Sequence, residues 1–298
     1  MRRFKSEIRS VMRFSKGYSI RLMLPTVLLA IPVFVACVHL QADCQTSCWP
    51  AFDYDGKAAQ TDKSYVKTGV KGSLIKTAHY IAESKTMTAA DGKLQIRLDC
   101  KRYKNYPAEE YAVCVTNLSE SEPTRIVANF RSLSLSIDTP EAIKAVVLNV
   151  LRGSTCKATD FVPEAFDIEA GKDQILKTTC GRSSNDTIPF LELNLDDMNG
   201  YLFAIGWTGS WKARFANKGE AVDVEIGMER TNFRLLPGET IRQPSVLVFS
   251  RKNQTRRAFK TMVHRFMLEN KVPRDSQNNI IPPPSWLSRL AEGTKRRR

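Results

Sequence analysis

An antiparallel β-sandwich followed by one C-terminal helix is the fold class that this 298-residue sequence predicts. Three observations carry that reading. Apolar and polar residues alternate at a period of two through many short runs, the mark of strands with one buried face. Glycine and proline interrupt the runs where turns are needed, as at Gly206, Gly209, Gly219, Gly227 and Pro237-Gly238. The period changes clearly to that of a helix only late in the chain, between Thr255 and Leu268.

In chain order, the first element is a leader. Arg2, Arg3, Lys5, Arg9, Arg13, Lys16 and Arg21 precede an uncharged apolar run from Leu22 to Cys37, which is the pattern of a helical export signal. The run is short for a bilayer span and contains Pro25 and Pro32. An uncleaved membrane anchor is the alternative. Phe34-Val35-Ala36-Cys37 has the form of a lipoprotein box, with Cys37 as the lipidated residue. Residues 1–37 are therefore assigned as leader, and the expected location is exported: periplasmic or on the outer surface, with lipid anchoring to the membrane through Cys37. Residues 38–64 lack periodicity and are expected to form a tether, with Trp49 packing locally.

The sandwich is expected over residues 65–250. Leu94–Leu98, Tyr111–Val115, Tyr201–Ile205, Trp211–Phe215 and Val222–Ile226 are apolar or alternating runs. In Ile126–Ile137, Leu133, Leu135 and Ile137 share one face and serines the other. Ala145–Leu151 suits a strand or a short helix, and its β-branched residues favour the strand. Phe190–Leu195 and Ser245–Phe249 complete the series, which shows no βαβ alternation. Residues 251–272 then read as a linking helix: Phe259, Met262, Val263, Phe266 and Met267 form one apolar face, and Asn253 is the expected N-cap. The tail, 273–298, contains Pro282-Pro283-Pro284, ends on Lys-Arg-Arg-Arg and is expected to be disordered.

The net charge of +14 suggests nucleic acid until it is mapped. Residues 1–24 hold seven basic residues and one Glu, residues 292–298 hold four and one, and only +5 is left for the whole middle. A basic footprint belongs on the folded domain, so nucleic acid is not an expected partner. Six cysteines remain once Cys37 is set aside, an even number that permits disulfides in an exported chain. Sequence neighbours are the expected pairs: Cys44–Cys48, Cys100–Cys114 across a hairpin, and Cys156–Cys180. No Cys-x-x-Cys occurs and the three histidines are scattered, so neither a metal nor a cofactor is expected.

Two side chains stand out for binding. Trp207 and Trp211 flank Thr208-Gly209-Ser210, and flat indoles beside a tight turn suit the apolar face of a sugar. The same aromatics equally suit a sandwich core. The acids Asp196, Asp197, Asp223, Glu225 and Glu229 invite a catalytic reading, but Asp223 and Glu225 alternate on a strand and face solvent together.

A series of short motifs then runs through residues 181–273: Gly181-Arg182-Ser183-Ser184-Asn185, Ile188-Pro189-Phe190, Ala204 to Trp211 (AIGWTGSW), Gly227-Met228-Glu229, Thr231-Asn232-Phe233, Leu236-Pro237-Gly238-Glu239, Ile241-Arg242-Gln243-Pro244, and a helix ending at Pro273. In order and spacing this stretch resembles the N-terminal part of bacterial α-galactosidases of glycoside hydrolase family 36. The resemblance implies a large sandwich (a supersandwich), a linking helix and then a (β/α)8 barrel carrying two catalytic aspartates. A barrel takes about 250 residues, whereas 25 follow Pro273 here. A retaining glycosidase needs two carboxylates about 5–5.5 Å apart, and the resemblance places that pair on the barrel. The expectation is thus a non-catalytic domain of an enzyme acting on terminal α-galactosides, inactive alone, with a (β/α)8 catalytic domain and an α-galactoside or other carbohydrate as partners. Trp207 and Trp211 would help shape the sugar subsite. The alternatives are a lipid-anchored carbohydrate-binding module and a structural envelope protein.

Overall fold

The computed structural model describes residues 49–59, 66–67, 73–139 and 144–282. The leader, Cys37, Cys44 and Cys48 lie outside them. Among the described residues no helix is long and apolar enough to cross a membrane.

The described chain is antiparallel β throughout, with one helix at its end. The strands are β1 (Ala51–Tyr54), β2 (Lys57–Ala59), β3 (Val66–Lys67), β4 (Ser73–Lys76), β5 (Tyr80–Ala89), β6 (Leu94–Tyr103), β7 (Ala108–Asn117), β8 (Val127–Asp138), β9 (Ala145–Leu151), β10 (Pro163–Glu169), β11 (Asp173–Lys177), β12 (Phe190–Asn194), β13 (Gly200–Gly206), β14 (Trp211–Asn217), β15 (Ala221–Met228), β16 (Asn232–Phe233), β17 (Thr240–Arg242) and β18 (Ser245–Arg251); helix α1 is Arg256–Asn270. One sheet runs β11-β14-β15-β8-β1-β2, with β16 also on β8; the larger runs β10-β9-β12-β13-β18-β7-β6-β5-β3, with β17 on β7 and β4 on β5.

Alternation decides which side chains meet between the sheets. Phe203 and Ile205 of β13, Val113 and Val115 of β7, Phe215 of β14 and Val222, Val224 and Ile226 of β15 form one buried core. The smaller-sheet strand β15 turns Asp223 and Glu225 outward, as its sequence pattern predicts. There Asp223 accepts from Ser136 Oγ at 2.8 Å, and Glu225 lies 3.6 Å from Arg214.

The larger sheet is covered on both faces at its centre, so β18 reads as an unbroken apolar run. Val246 and Val248 point between the sheets, while Leu247 and Phe249 point outward under α1. The helix answers with Phe259, Val263 and Phe266, all buried, at about 2 kcal/mol of apolar burial each. Its N-cap is Thr255, whose hydroxyl accepts from the Ala258 amide, and not Asn253. Asn253 instead sits two residues earlier in a left-handed turn (φ 52°).

Two boundaries differ from the sequence reading. The expected tether contains β1 and β2, whose Phe52, Tyr54 and Ala59 are buried in the core. The first part of the expected disordered tail, through residue 282, forms a turn: Arg274 bridges to Ile280, and Asp275 accepts from the amides of Gln277 and Asn279.

One buried charge ties the ends of the strands together. Arg251 closes β18 and is 1% exposed. Its guanidinium donates to the carbonyls of Asp196, Asp197, Asn199 and Gln254 and to Asn194 Oδ1. It thereby pins the β12–β13 hairpin to the start of α1.

Candidate functional site

At the other end of β13 three loops converge: residues 152–161 after β9, 178–189 before β12, and 207–210 after β13. Their backbones interlock. The Gly153 and Ser154 amides donate to the carbonyls of Asp186 and Ser184, and the Ser183 amide donates to the Thr208 carbonyl. The Gly181 amide reaches Ser210 Oγ at 3.1 Å. A β-carbon on Gly153 would lie 2.0 Å from the Ser184 carbonyl oxygen, so only glycine permits this approach.

Two of the three loops are also braced by a carboxylate. Asp160 accepts from Ser154 Oγ and from the amides of Thr155, Cys156 and Lys157. Asp186 accepts from the amide and hydroxyl of Thr179 and from Asn185 Nδ2. The Thr155 amide leads the bonds that hold Asp160 below the ordinary carboxylate range; the Thr179 hydroxyl does the same for Asp186. Both are therefore ionised and occupied as braces. A glycosidase general acid needs the reverse, a carboxyl kept protonated by its surroundings.

Four non-glycine residues in these loops have left-handed backbone: Cys156, Phe161, Cys180 and Asp186, with φ between 57° and 64°. For a bulky residue such as Phe161 this conformation is costly, and such strain concentrates at functional loops. Phe161 is also 61% exposed. It was not legible as a site residue, because a lone Phe between loop residues carries no period.

The two candidate tryptophans part company. Trp211 is fully buried; its indole N–H donates to the Ser183 carbonyl at 2.8 Å and its amide donates to Thr178 Oγ1. It is a core residue with no face to offer a sugar, which corrects the expected role. Trp207 is half-buried and packs on the core edge. Its indole folds back over Gly209, where a β-carbon would come within 2.9 Å of Nε1. Of the two indoles, this one keeps an open surface, on the loop rim.

The expected disulfides are not present among the described cysteines. Register separates Cys100 from Cys114: Cys100 opposes Tyr111, whereas Cys114 opposes Arg97. Arg97 and Cys100 are three residues apart, which places the two cysteines on opposite faces of the sheet. Cys100 packs against the core, and Cys114 is a thiol on the outer face. Cys156 and Cys180 are both exposed thiols on the rim loops. The acids Asp196 and Asp197 lie at the far end of β13, where Asp196 caps its own turn through the amides of Met198 and Asn199. Among the described residues no group of three or more His, Cys, Asp or Glu is arranged to hold a metal ion.

Beside α1, the outer face of the larger sheet leaves a trough of about 590 Å³ lined by Phe190, Leu202, Phe259, Val263 and Met267. Glu192 closes one end, bonded by both oxygens to Arg256 at 2.9 Å.

Comparison with known proteins gives a consistent placement for this fold. No protein-family model matches the sequence, and no curated protein matches it. Solved structures do. The α-galactosidase AgaA of Geobacillus stearothermophilus, a family 36 enzyme solved with raffinose, matches over 76% of this chain with a TM-score of 0.56 and 16% identity. The galactosidase domain of the α-galactosidase–sucrose kinase AgaSK matches over 78% with a TM-score of 0.59 and 13% identity. The α-galactosidase of Lactobacillus brevis matches over 74% with a TM-score of 0.53 and 10% identity. The chain spans about a third of the length of these structures: 33%, 34% and 28%. Its β-sandwich and helix therefore share the fold of a non-barrel portion of family 36 α-galactosidases, as the motif series between residues 181 and 273 predicts.

Proposed function

We propose that this chain supplies the non-catalytic sandwich of an α-galactosidase-like glycoside hydrolase, acting on terminal α-galactosides together with a (β/α)8 catalytic domain. The observation that carries the reading is the fold match over three quarters of the chain to about one third of such enzymes. The chemistry of the rim agrees with it. Asp160 and Asp186 are ionised and committed to bracing loops, so neither is available as the proton donor that glycoside cleavage requires. The rim instead presents a rigid, glycine-dependent surface with Trp207 and Phe161 as its aromatic features. In this reading Trp207 forms one wall against which the sugar ring is held while the barrel carboxylates act. Export and lipid attachment through Cys37 remain part of the proposal, resting on the leader sequence alone.

The test is made on the purified chain. Incubated with an aryl α-galactoside, it is expected to release no phenol. Turnover that survives purification and disappears on substitution of a carboxylate in this chain overturns the reading, since the catalytic pair would then reside here.

A further inference from the structure

A second pocket lies at the opposite end of the strands from Trp207. Four segments build it: the turn between β4 and β5, the tip of the β6–β7 hairpin, the last turn of α1, and the 273–282 turn. It holds about 380 Å³ and is lined by His79, Asn105, Tyr106, Glu269, Asn270, Arg274 and Asn278. That volume lies near the lower end of small-molecule sites, about 300–1,000 Å³.

The segments are fixed to one another. Thr77 Oγ1 accepts from the amides of His79 and Tyr80, which sets the first turn. The Lys104 amide donates to the His79 carbonyl at 2.9 Å and joins that turn to the hairpin tip. Tyr106 packs edge-on against Phe266 of α1, centroids 5.1 Å apart, and its hydroxyl donates to Glu269 Oε2. Arg274 donates to the carbonyls of Leu268 and Asn278 at 3.0 and 2.8 Å, tying the closing turn to the helix end.

The lining selects a ligand class by elimination. It carries one Glu and one Arg, whose charges cancel. An anion would need an excess of cationic donors, whereas Arg274 is the one Arg or Lys in the lining, is matched by Glu269 and already gives two N–H groups to carbonyls. A cation site would need clustered ligands, and no such group occurs among the described residues. An apolar ligand would displace water from the Asn105 and Asn278 amides and from Asn270 Oδ1 without replacing its hydrogen bonds. Those amides both donate and accept, which is the hydrogen-bonding character of a hydroxyl. Asn270 already donates to the Phe266 carbonyl through Nδ2 and leaves its Oδ1 toward acceptor duty. Tyr106 adds an aromatic wall.

We infer that this pocket is a binding site for a neutral saccharide, separate from the Trp207 rim. The choice of saccharide among neutral polyhydroxyl ligands rests on the α-galactosidase-like reading; the charge balance and amide lining do not. Contacts to three exposed or half-exposed amides correspond to about millimolar affinity.

The experiment is saturation-transfer NMR on the full chain, with galactose and raffinose as probes up to about 20 mM. Galactose signals are expected in the unaltered chain, with binding roughly tenfold weaker in Asn105→Ala, as loss of paired hydrogen bonds implies. Asn278→Gly is the second variant: it removes the amide while glycine keeps the left-handed backbone (φ 68°) without strain. In a Trp207→Ala background, Asn105→Ala should weaken the remaining galactose binding by the same factor. No transfer from either sugar overturns the inference. So does binding that both pocket variants leave intact, and so does binding that only Trp207→Ala removes; that last result would leave the rim reading standing. Turnover by the chain alone would overturn the proposed function without touching the pocket.

Discussion

Replacing Arg251 by Met tests whether one guanidinium holds the β12–β13 hairpin against the start of α1. Methionine keeps most of the side-chain length and removes every donor. The bond to Asn194 Oδ1, at 2.6 Å, is the one buried throughout, and its acceptor would be left without a partner, costing about 2 kcal/mol. The other four acceptors are carbonyls in partly exposed positions that water can reach. Their loss costs about 0.5 kcal/mol each. Removing a buried charge returns about 1 kcal/mol of desolvation, consistent with burial drawing this guanidinium below its usual pKa. The net is about 3 kcal/mol. With a urea slope of about 3 kcal/mol/M, that moves the unfolding midpoint down by about 1 M, read from tryptophan fluorescence. Arg251→Lys should lose about half as much, because one ammonium keeps part of the bonding but cannot reach all five acceptors on the hairpin and at Gln254. A shift below about 0.3 M for Arg251→Met, or equal shifts for Met and Lys, would refute the clamp.

Four further outcomes are expected. Gly153→Ala forces the two rim loops apart and should cost about 3 kcal/mol, visible as a lowered melting temperature. Gln243→Met should stabilise by about 1–2 kcal/mol in urea, because both polar atoms of this fully buried amide lack a partner among the described residues. Burial pushes the Glu110 carboxyl up, but Lys271 at 2.8 Å and Tyr103 outweigh it and hold the group below its ordinary 4.5. Its stabilisation is therefore present above pH 4.5 and lost as pH falls through the lower folded value, so Glu110→Gln should lower the melting temperature at neutral pH and match the parent in strong acid. Cys156 and Cys180 should both react promptly with a thiol reagent in the folded chain; two unreactive thiols would restore the rim disulfide.

Much of the fold was legible because burial and period coincide. Tyr201–Ile205, Trp211–Phe215 and Val222–Ile226 lie within β13, β14 and β15, at the centre of the two sheets. Strands that bury little gave no such signal. In β5, the only buried residue of ten is Met87, so its sequence has no stripe to read. In β10 and β11 a single residue each is buried, Ile168 and Leu176, because both strands are sheet edges. The β1–β2 hairpin was hidden by its polar surroundings. At the rim, sequence presented Trp207 and Trp211 as equivalent; the strand that begins at Trp211 carries its indole inward, and only tertiary packing distinguishes the two. The Cys100–Cys114 pairing failed on a three-residue offset in register, which spacing alone does not specify. The saccharide pocket was illegible because its lining joins the β4–β5 turn and the β6–β7 hairpin tip to residues 269–278 at the far end of the described chain.

The outermost strand of the larger sheet has one more implication. β10 begins with Pro163 and carries Glu164, Asp167 and Glu169. Glu164 points to one face and pairs with Arg152, while Asp167 and Glu169 form a short negative row on the other; this row, with the proline, discourages another chain from extending the ladder along the unpaired backbone there. Growth of the protein into strand-swapped fibres is thus opposed at that flank. Any companion domain is steered toward the loop ends, or onto the layer where the helix lies, and a segment that did add to β10 would need lysines or arginines facing that row.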